Sequence, residues 1–204
     1  MTPVEINAKP SEEAAVKPHD NFVNRLVEEV NAVDTAVYQA VANTPTPTLN
    51  HPMTFISNAA NYSRLWLAVA GTLVVTDGAR GRRAAIRGLA ALGATSITAD
   101  FVAKHLFPRQ RPDRGFGVAG RQARMPISSS FPSGHTASAF AFATAVTTEC
   151  PRLALPLYGL ATAVGYSRIH MGVHYPVDVV GGGLLGLALG SALGSPSHES
   201  RDLA

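Results

Sequence analysis

The chain has 204 residues, which suits a single domain, and its 46% hydrophobic and 15% charged residues lie between the compositions of soluble and membrane proteins. The lone cysteine, Cys150, excludes an internal disulfide. The formal net charge is +3, and we expect no nucleic-acid partner. The average composition conceals a division, because residues 1–34 are charged and polar whereas long uncharged runs follow them.

The N-terminal region, residues 1–61, is predicted to carry a polar tail and one amphipathic helix. Residues 1–19 have the composition of a disordered tail, and they lack the basic start and apolar core of a signal peptide. The helix that follows is ended by Thr44-Pro45-Thr46-Pro47. Two placements remain open for it, on the membrane surface or packed on the domain. Its apolar face comprises Phe22, Val23, Leu26, Val27, Val30, Val33, Val37, Ala40 and Val41.

Five uncharged runs then predict a bundle of helices. The clearest is 179–197, in which Gly181, Gly182, Gly183, Gly186 and Gly190 allow close helix approach. The runs 65–76, 88–99, 136–148 and 153–167 are each shorter than the ~20 residues of a spanning helix. Counting all five as spans brings the polar motifs between them to one side. We therefore predict an all-α fold, a polytopic membrane helix bundle with about five spanning helices and the N-terminal amphipathic helix.

Two polar motifs lie between the runs 88–99 and 136–148. The first extends from Lys104 to Arg111 and Pro112, so it brings two cations to one loop. The second, Pro132-Ser133-Gly134-His135, leads directly into the run 136–148. Ser133 and Gly134 are therefore expected to offer backbone N–H groups at a helix N-terminus, which attracts anions.

A third motif links the last two runs and contains Arg168, His174 and Asp178. His174 and Asp178 are four residues apart, one turn if helical, so the carboxylate can fix the tautomer of the imidazole. Together the three motifs supply the groups needed to hold a phosphoryl group, attack it and protonate what leaves.

This combination resembles the type-2 phosphatidic acid phosphatase family, whose signature is Lys-x6-Arg-Pro, Pro-Ser-Gly-His and Ser-Arg-x5-His-x3-Asp. Every signature position is present, in order and at the right spacing. The matching residues are Lys104, Arg111, Pro112, Pro132, Ser133, Gly134, His135, Ser167, Arg168, His174 and Asp178. The resemblance covers residues 65–193.

The resemblance implies a phosphohistidine mechanism. His174 is then the nucleophile, Asp178 accepts a hydrogen bond from its other ring nitrogen, and His135 protonates the leaving oxygen. The implied phosphate ligands are Lys104, Arg111, Arg168 and the backbone at Ser133 and Gly134. We expect no metal and no other cofactor.

Single residues also have structural interpretations. Lys104 and Arg111 are compatible with interfacial cations beside a membrane. A merely basic surface is a related alternative, because the same loop contains Arg109, Arg114, Arg121 and Arg124. His135 is compatible with a helix cap, as is Asp178 with an N-cap. His170 and His174 have the spacing of a metal pair, but Arg168 repels a cation, and we interpret His105 and His170 as bystanders.

The predicted function is metal-independent hydrolysis of a lipid phosphomonoester or diphosphate. The lipid is open among polyprenyl phosphates and diphosphates, polyprenylphosphoryl sugar phosphates, phosphatidic acid and phosphatidylglycerophosphate. One alternative is a vanadium-dependent haloperoxidase-like enzyme, for which the chain is small and membrane-like. Another is a non-catalytic lipid-phosphate binder or transporter, which has no need of His135, His174 and Asp178 together.

The predicted regions are a polar tail with amphipathic helix at 1–61, a membrane phosphatase domain at 62–197 and a polar tail at 198–204. We expect a multi-pass protein of the cell membrane. Four arginines, Arg80, Arg82, Arg83 and Arg87, lie between the first two runs, and the positive-inside rule makes that loop cytoplasmic. The motifs are then expected on the extracytoplasmic face, although this requires the hydrophilic N-terminal tail to cross the membrane.

Overall fold

The structure is a computed structural model that describes residues 22–113, 121, 125 and 127–194. Its helices, numbered α1 to α7, are Phe22–Asn43, Pro47–Ala60, Arg64–Thr76, Gly78–Ile97, Gly134–Glu149, Ala154–His170 and Pro176–Gly194. Within the described ranges every regular element is helical, so the all-α prediction is confirmed. The predicted tails at 1–19 and 198–204 lie outside the described residues.

Prolines and one glycine set several helix boundaries. Pro47 and Pro176 are the first residues of α2 and α7, where a fixed φ and a missing N–H cost least. Gly78 turns the chain from α3 into α4 with φ of +54°, which glycine adopts without a Cβ penalty. Helix α4 then continues through a π-helical segment, Thr98–Ala103, into a last turn, Lys104–Leu106. Such π-helical segments are frequent at functional sites.

The chain forms two compact units, divided after Val33 within α1, and each is described by itself. In the second unit α5 is the central helix, packed against α4, α6 and α7. Its side chains are buried on nearly every face. The core joins Phe142 and Val146 of α5 to Trp66 of α3, Leu92 of α4 and Val164 of α6. Trp66 and Phe142 lie with ring centroids 5.1 Å apart.

Glycines allow α5 and α7 to pack backbone against backbone. A Cβ atom at Gly182, Gly186 or Gly190 would lie 2.5, 2.3 or 2.7 Å from the carbonyl oxygens of Ser133, Ala137 and Ala141 respectively. No real Cβ contact is that short, so each position requires glycine. The close approach predicted for these residues is confirmed, and it follows the small-xxx-small pattern of tightly packed helices.

Helix α1 uses a different face from the one expected. In the first unit its apolar side chains are exposed, among them Phe22 at 79% and Val33 at 64%. In the second unit α1 buries Asp34, Tyr38 and Ala42, which recur every four residues, while Val37 stays 46% exposed. The buried face of α1 is therefore formed around Asp34, which makes an ion pair, and Tyr38, and the valines do not form it.

Two helices in the described part of the chain have the length and hydropathy needed to cross a membrane. They are Gly78–Leu106, 29 residues, and Pro176–Gly194, 19 residues, which contain 18-residue windows of mean hydropathy 1.2 and 1.6. Helices α3, α5 and α6 have 13, 16 and 17 residues. Residues 195–197 of the run predicted at 179–197 lie outside the described residues.

The polar motifs meet at one end of the bundle, as predicted. Nη1 of Arg111 in the first motif lies 3.3 Å from Nε2 of His174 in the third, and the Ser133 N–H of the second motif donates to the carbonyl of Asp178 at 2.9 Å. At the other end of α5, the pairs Arg87–Glu149 and Arg152–Asp77 lie 2.8 and 2.5 Å apart.

Candidate active site

A cavity of about 470 Å³ opens where the motif-bearing ends of the helices meet. Six of the predicted site residues line it: Lys104, Arg111, Gly134, His135, Arg168 and His174. Ala60, Tyr62 and Trp66 add an apolar wall, and Ser63, Ser96, Asp100, Ser128 and Ser138 add polar groups. One concave site therefore combines three side-chain cations, two histidines and an apolar surface.

His174 lies in the loop between α6 and α7 and is 2% exposed. Burial lowers the pKa of His174 to about 4; Arg111 and Arg168 act in the same direction, while the contact with Asp178 opposes them. The imidazole is therefore neutral at pH 7. Its Nε2 lies 3.3 Å from Nη1 of Arg111, a group that only donates, so Nε2 carries the lone pair. Its Nδ1 lies 3.5 Å from Oδ2 of Asp178, where a carboxylate favours the Nδ1–H tautomer.

Asp178 is fully buried in the first turn of α7. Its Oδ2 accepts the backbone N–H of Tyr175 at 2.8 Å, and its Oδ1 accepts from Nη1 of Arg109 at 2.8 Å. Tyr175 immediately precedes α7, and Asp178 is the third residue of that helix. The bond from the Tyr175 N–H to Asp178 is therefore one half of a capping box, in which the third residue of a helix accepts the N–H of the N-cap residue. The N-cap alternative is therefore wrong in position, and this capping contact coexists with the contact to His174.

Arg111 is fixed by backbone carbonyls. Its guanidinium donates to the carbonyls of Ser128, Ser129 and Val173 at 2.9, 3.1 and 2.8 Å. A guanidinium held this way presents its charge in one orientation, which favours recognition of a tetrahedral anion.

Arg168 and Lys104 are held by side chains. Arg168 is 3% exposed, and its Nη1 donates to Ser57 Oγ at 2.6 Å. Lys104 Nζ pairs with Asp100 Oδ1 at 2.5 Å, one turn earlier in the same continuous helix. A Cβ at Gly134 would lie 3.5 Å from Asp100 Oδ1 and 4.0 Å from Lys104 Nζ, so the start of α5 faces this pair directly.

His135, the second residue of α5, contacts a residue of the N-terminal region. Its Nε2 lies 3.0 Å from Oδ1 of Asn61, which follows α2. An amide oxygen accepts, so this contact favours a proton on Nε2. Asn61 is followed by Tyr62 and Ser63, which both have φ near +55°, at 54° and 59°. Left-handed backbone at two non-glycine residues is a strain that proteins keep mainly at functional sites.

The prediction that the backbone N–H of Ser133 binds phosphate is wrong. Its backbone N–H is used by the Asp178 carbonyl at 2.9 Å, and the residue is fully buried. Its hydroxyl accepts from Thr136 at 2.9 Å. Ser133 therefore joins the start of α5 to the start of α7, and its N–H is not available to a phosphate.

Arg109 and Arg121, two of the four arginines that suggested a merely basic surface, are held in place by specific partners. Arg109 bridges Asp34 and Asp178 at 2.6 and 2.8 Å. Burial alone would disfavour its charge, but these two hydrogen bonds outweigh burial and raise the pKa of Arg109. Arg121 is 5% exposed and donates to the carbonyls of Val41 and Thr44 at 3.1 and 2.8 Å. Arg114 and Arg124 lie outside the described residues.

The bystander histidine of the third motif has a structural partner. His170 is fully buried, and its Nε2 lies 3.0 Å from Asn50 Oδ1 in α2. This contact joins α6 to α2. It gives the buried His170 a structural role, so no bound ligand is needed to explain its presence. The 22–113 and 127–194 ranges contain no group of three or more His, Cys, Asp or Glu side chains arranged to hold a metal ion.

Sequence reasoning missed three residues of the N-terminal region that contact the site. They are Asp34, bonded to Arg109, Ser57, bonded to Arg168, and Asn61, in contact with His135. Each partner is between 74 and 111 residues away along the chain. The one available signal was Asp34, the single charged residue in the helical stretch 30–43.

Comparison with known proteins gives consistent matches. The model of the PAP2 superfamily matches residues 84–195. An undecaprenyl-diphosphatase of Sulfolobus acidocaldarius is 31% identical over 143 residues, 68% of this chain and 66% of that protein. A decaprenylphosphoryl-5-phosphoribose phosphatase of Mycobacterium tuberculosis is 34% identical over 130 residues, 64% of this chain and 68% of that protein.

A solved structure shares the fold. The transmembrane PAP2-type phosphatidylglycerolphosphate phosphatase of Bacillus subtilis superposes with a TM-score of 0.64 at 24% identity, over 89% of this chain and 94% of that one. Among the curated relatives, the chain spans 66% of the length of the Sulfolobus protein and 32% and 48% of two others.

Proposed function

Because the chain belongs to the PAP2 superfamily, we propose that it is a membrane lipid phosphatase that works through a phosphohistidine. The observation that carries the proposal is the single cavity in which Lys104, Arg111 and Arg168 surround two histidines. A binder or transporter of lipid phosphates needs the cations alone. It has no use for a buried, neutral histidine with a carboxylate behind one nitrogen.

The first half of the reaction transfers the phosphoryl group to the enzyme. Nε2 of His174 attacks phosphorus, an N–P bond forms, and the P–O bond to the lipid breaks. His135 donates a proton to the oxygen that leaves. For this step His135 carries a proton on both ring nitrogens, a form that the negative charge of the bound phosphate favours. Its Nε2–H donates to Asn61 Oδ1, so the Nδ1 proton is the one transferred to the leaving oxygen. Asp178 stabilises the positive charge that develops on His174.

The second half returns the enzyme to its starting state. His135 takes a proton from water, the oxygen of that water attacks phosphorus, and the N–P bond breaks. Inorganic phosphate leaves, and His174 is again neutral. Lys104, Arg111 and Arg168 hold the equatorial oxygens in both halves, which is the main work that a protein does in phosphoryl transfer. No step requires a metal ion, and metal independence stays a prediction.

A membrane location is supported by several features together. The two long apolar helices, Gly78–Leu106 and Pro176–Gly194, have the length to span a bilayer. We extend this to about five spans by adding α3, α5 and α6, which run between the same two ends of the bundle. The exposed apolar stripe of residues 22–33 supports an interfacial position for that part of α1. We retain residues 62–197 as the phosphatase domain.

The proposed face of the membrane rests on the arginines at the start of α4. Arg80, Arg82 and Arg83 lie near the start of α4, at the end of the bundle opposite the cavity. Because cationic loops stay cytoplasmic, this distribution supports an extracytoplasmic active site.

The substrate class is a lipid phosphate whose head group carries a terminal phosphomonoester or diphosphate. Relatives are named for undecaprenyl diphosphate and for decaprenylphosphoryl-5-phosphoribose, and both are polyprenyl lipids. We therefore propose a polyprenyl-linked phosphate ahead of phosphatidic acid or phosphatidylglycerophosphate. The apolar wall of Ala60, Tyr62 and Trp66 beside the cations suits the junction between a lipid and its phosphate.

The decisive experiment measures phosphate release by detergent-purified protein with excess EDTA present. The panel contains undecaprenyl diphosphate, a polyprenylphosphoryl pentose phosphate, phosphatidic acid and phosphatidylglycerophosphate. We expect turnover of at least one polyprenyl substrate and inhibition by vanadate, which copies the five-coordinate transition state. Turnover lost in EDTA and restored by Mg²⁺ would contradict the mechanism.

His174→Ala tests the nucleophile on the same panel. It should abolish turnover and any acid-labile phosphoenzyme, whereas His105→Ala, which removes an exposed histidine near Lys104, should leave both unchanged. A normal phosphoenzyme in His174→Ala would show that another residue attacks. Tight lipid-phosphate binding without phosphate release would favour the binder instead.

A further inference from the structure

Arg109 lies just behind the site and belongs to no part of the family signature. Its guanidinium spans two carboxylates, with Nη1 2.8 Å from Asp178 Oδ1 and Nη2 2.6 Å from Asp34 Oδ2. Asp34 and Asp178 are 2% and 0% exposed. One partly buried cation, with its side chain 21% exposed, thus neutralises the carboxylate that faces His174 and a second carboxylate supplied by α1.

Asp34 does more than balance charge. Its other oxygen, Oδ1, accepts the backbone N–H of Val177 at 2.8 Å. Val177 is the second residue of α7, so a side chain from α1 satisfies one of the unpaired donors at the start of this helix. Asp34 therefore holds both Arg109 and the helical turn that carries Asp178.

Aromatic packing keeps Arg109 in this position. Its guanidinium carbon lies 4.5 Å from the ring centroid of Tyr175, and the Tyr38 ring meets Tyr175 edge-on at 5.4 Å. The backbone N–H of Arg109 donates to Ser129 Oγ at 2.8 Å. A cation stacked on an aromatic face and anchored at its backbone has little freedom to turn toward the cavity.

We propose that Arg109 and Asp34 are positioning residues that hold the Asp178 carboxylate in the orientation that keeps His174 in its Nδ1–H tautomer. The proposal rests on the phosphatase function proposed above. Arg109 fixes Oδ1 of Asp178, the Tyr175 N–H fixes Oδ2, and two fixed oxygens define the plane of the carboxylate. Oδ2 then has one remaining direction for accepting a hydrogen bond, and His174 Nδ1 lies 3.5 Å from it.

This role differs from that of the phosphate-binding cations. Lys104, Arg111 and Arg168 line the cavity where the phosphate is bound, whereas Arg109 is shared by two carboxylates behind it. Loss of Arg109 should therefore slow the chemical step and leave substrate binding almost unchanged. Loss of Lys104, Arg111 or Arg168 should instead weaken substrate binding as well as slow the chemical step.

A double-mutant cycle measures whether Arg109 acts through Asp178. We expect Arg109→Gln to lower kcat about tenfold or more with KM changed less than about threefold, and Arg109→Lys to recover part of the loss. If the effect passes through Asp178, adding Arg109→Gln to Asp178→Asn should cost nothing further. Losses that multiply in the double variant would overturn the proposal. Arg152→Gln is the matched control, because it removes an arginine from an ion pair with Asp77 at the far end of the bundle.

A second measurement needs no substrate. In protein labelled with nitrogen-15 at histidine, the ring nitrogens of His174 report its tautomer, and their signals are identified by their loss in His174→Gln. The wild type should show protonated Nδ1 and unprotonated Nε2. Arg109→Gln and the isosteric Asp34→Asn, which keeps an acceptor for the Val177 N–H, should both show a mixture of tautomers.

The two measurements separate the failures. If the wild type hydrolyses none of the lipids, the phosphatase proposal fails, and the nitrogen-15 spectra still decide the role of Arg109 and Asp34. If Arg109→Gln does not fold, Asp34→Asn and Arg109→Lys replace it. Wild-type kcat and a pure Nδ1–H tautomer in both of these variants would overturn the positioning role.

Discussion

A buried histidine that stays neutral is the residue on which the proposed chemistry depends. A protonated imidazole has no lone pair, so His174 attacks phosphorus only in its neutral form. Burial, with Arg111 and Arg168, lowers the pKa of His174 to about 4, which makes the nucleophile available throughout the neutral range. The same arginines that we propose as phosphate ligands thus also keep the attacking nitrogen unprotonated.

This pKa has a consequence for stability. The imidazole in the unfolded chain has its ordinary pKa of about 6.5, so between pH 6.5 and 4 the unfolded state binds more protons, and acid favours unfolding. Stability from this group is complete above pH 6.5 and falls by about 2 kcal/mol by pH 5. We expect the melting temperature of the wild type to fall more between pH 7 and 5 than that of His174→Gln. Parallel curves would show that His174 is not buried in its neutral form.

The signature residues could be read from the sequence because their spacing alone identifies them. The residues that hold them could not, since Arg109 carries no mark that distinguishes it from Arg111 two positions later. Asp34 pairs with Arg109 across 75 residues. Ser133 was misassigned because a helix N-terminus predicts an available N–H, and only the position of α7 reveals that the Asp178 carbonyl already accepts it.

At the scale of elements, the contact between α5 and α7 fixes the distance between the two histidines of the candidate site. Helix α5 begins at Gly134, beside His135, and α7 begins at Pro176, beside His174. Backbone-to-backbone packing along Gly182, Gly186 and Gly190 leaves no room for these ends to shift. The glycines were predictable as a pattern, but their partner helix was not.

Gly186→Ala tests this contact. The new Cβ would lie 2.3 Å from the Ala137 carbonyl oxygen, so the helices must separate, and we expect a loss of about 1 to 3 kcal/mol together with lower turnover. Gly93→Ala in α4 is the matched control. Nothing lies within 4 Å of its Cβ, and a helical Gly-to-Ala change in open space adds up to about 1 kcal/mol. Chemical denaturation of both variants decides the comparison, and equal stabilities would contradict the packing.

At the scale of the whole molecule, residues 34–61 contact the candidate site although they precede the proposed phosphatase domain. Asp34 of α1, Ser57 of α2 and Asn61 each contact a residue of the site. The sequence could not reveal these contacts, because residues 1–61 were separated from the bundle by their composition, and composition says nothing about which residues meet in the fold. Hydropathy predicted five spans from uncharged runs, whereas two helices of the described chain satisfy length and hydropathy together. Helix α5 is rich in alanine and threonine, which suit close packing better than contact with lipid.

The arginine cluster at the start of α4, Arg80, Arg82 and Arg83, predicts how the protein lies in the membrane. This orientation can be tested with single cysteines introduced into a Cys150→Ser variant. The native thiol is 1% exposed and donates to Asp77, a bond that a serine hydroxyl can keep. Ile127→Cys marks the cavity end, where Ile127 is fully exposed, and Arg152→Cys marks the opposite end.

With the cavity outside the cytoplasm, a membrane-impermeant maleimide should label Ile127→Cys in intact cells and label Arg152→Cys only after the membrane is permeabilised. Arg80, Arg82 and Arg83 would then remain on the cytoplasmic side, as the positive-inside rule requires. The reverse labelling pattern would place the active site in the cytoplasm and would make the arginines at the start of α4 an exception to that rule. Labelling of both cysteines in intact cells would show that residues 127 and 152 lie on the same side, which contradicts an odd number of spans between them and removes α5 from the set of membrane-spanning helices.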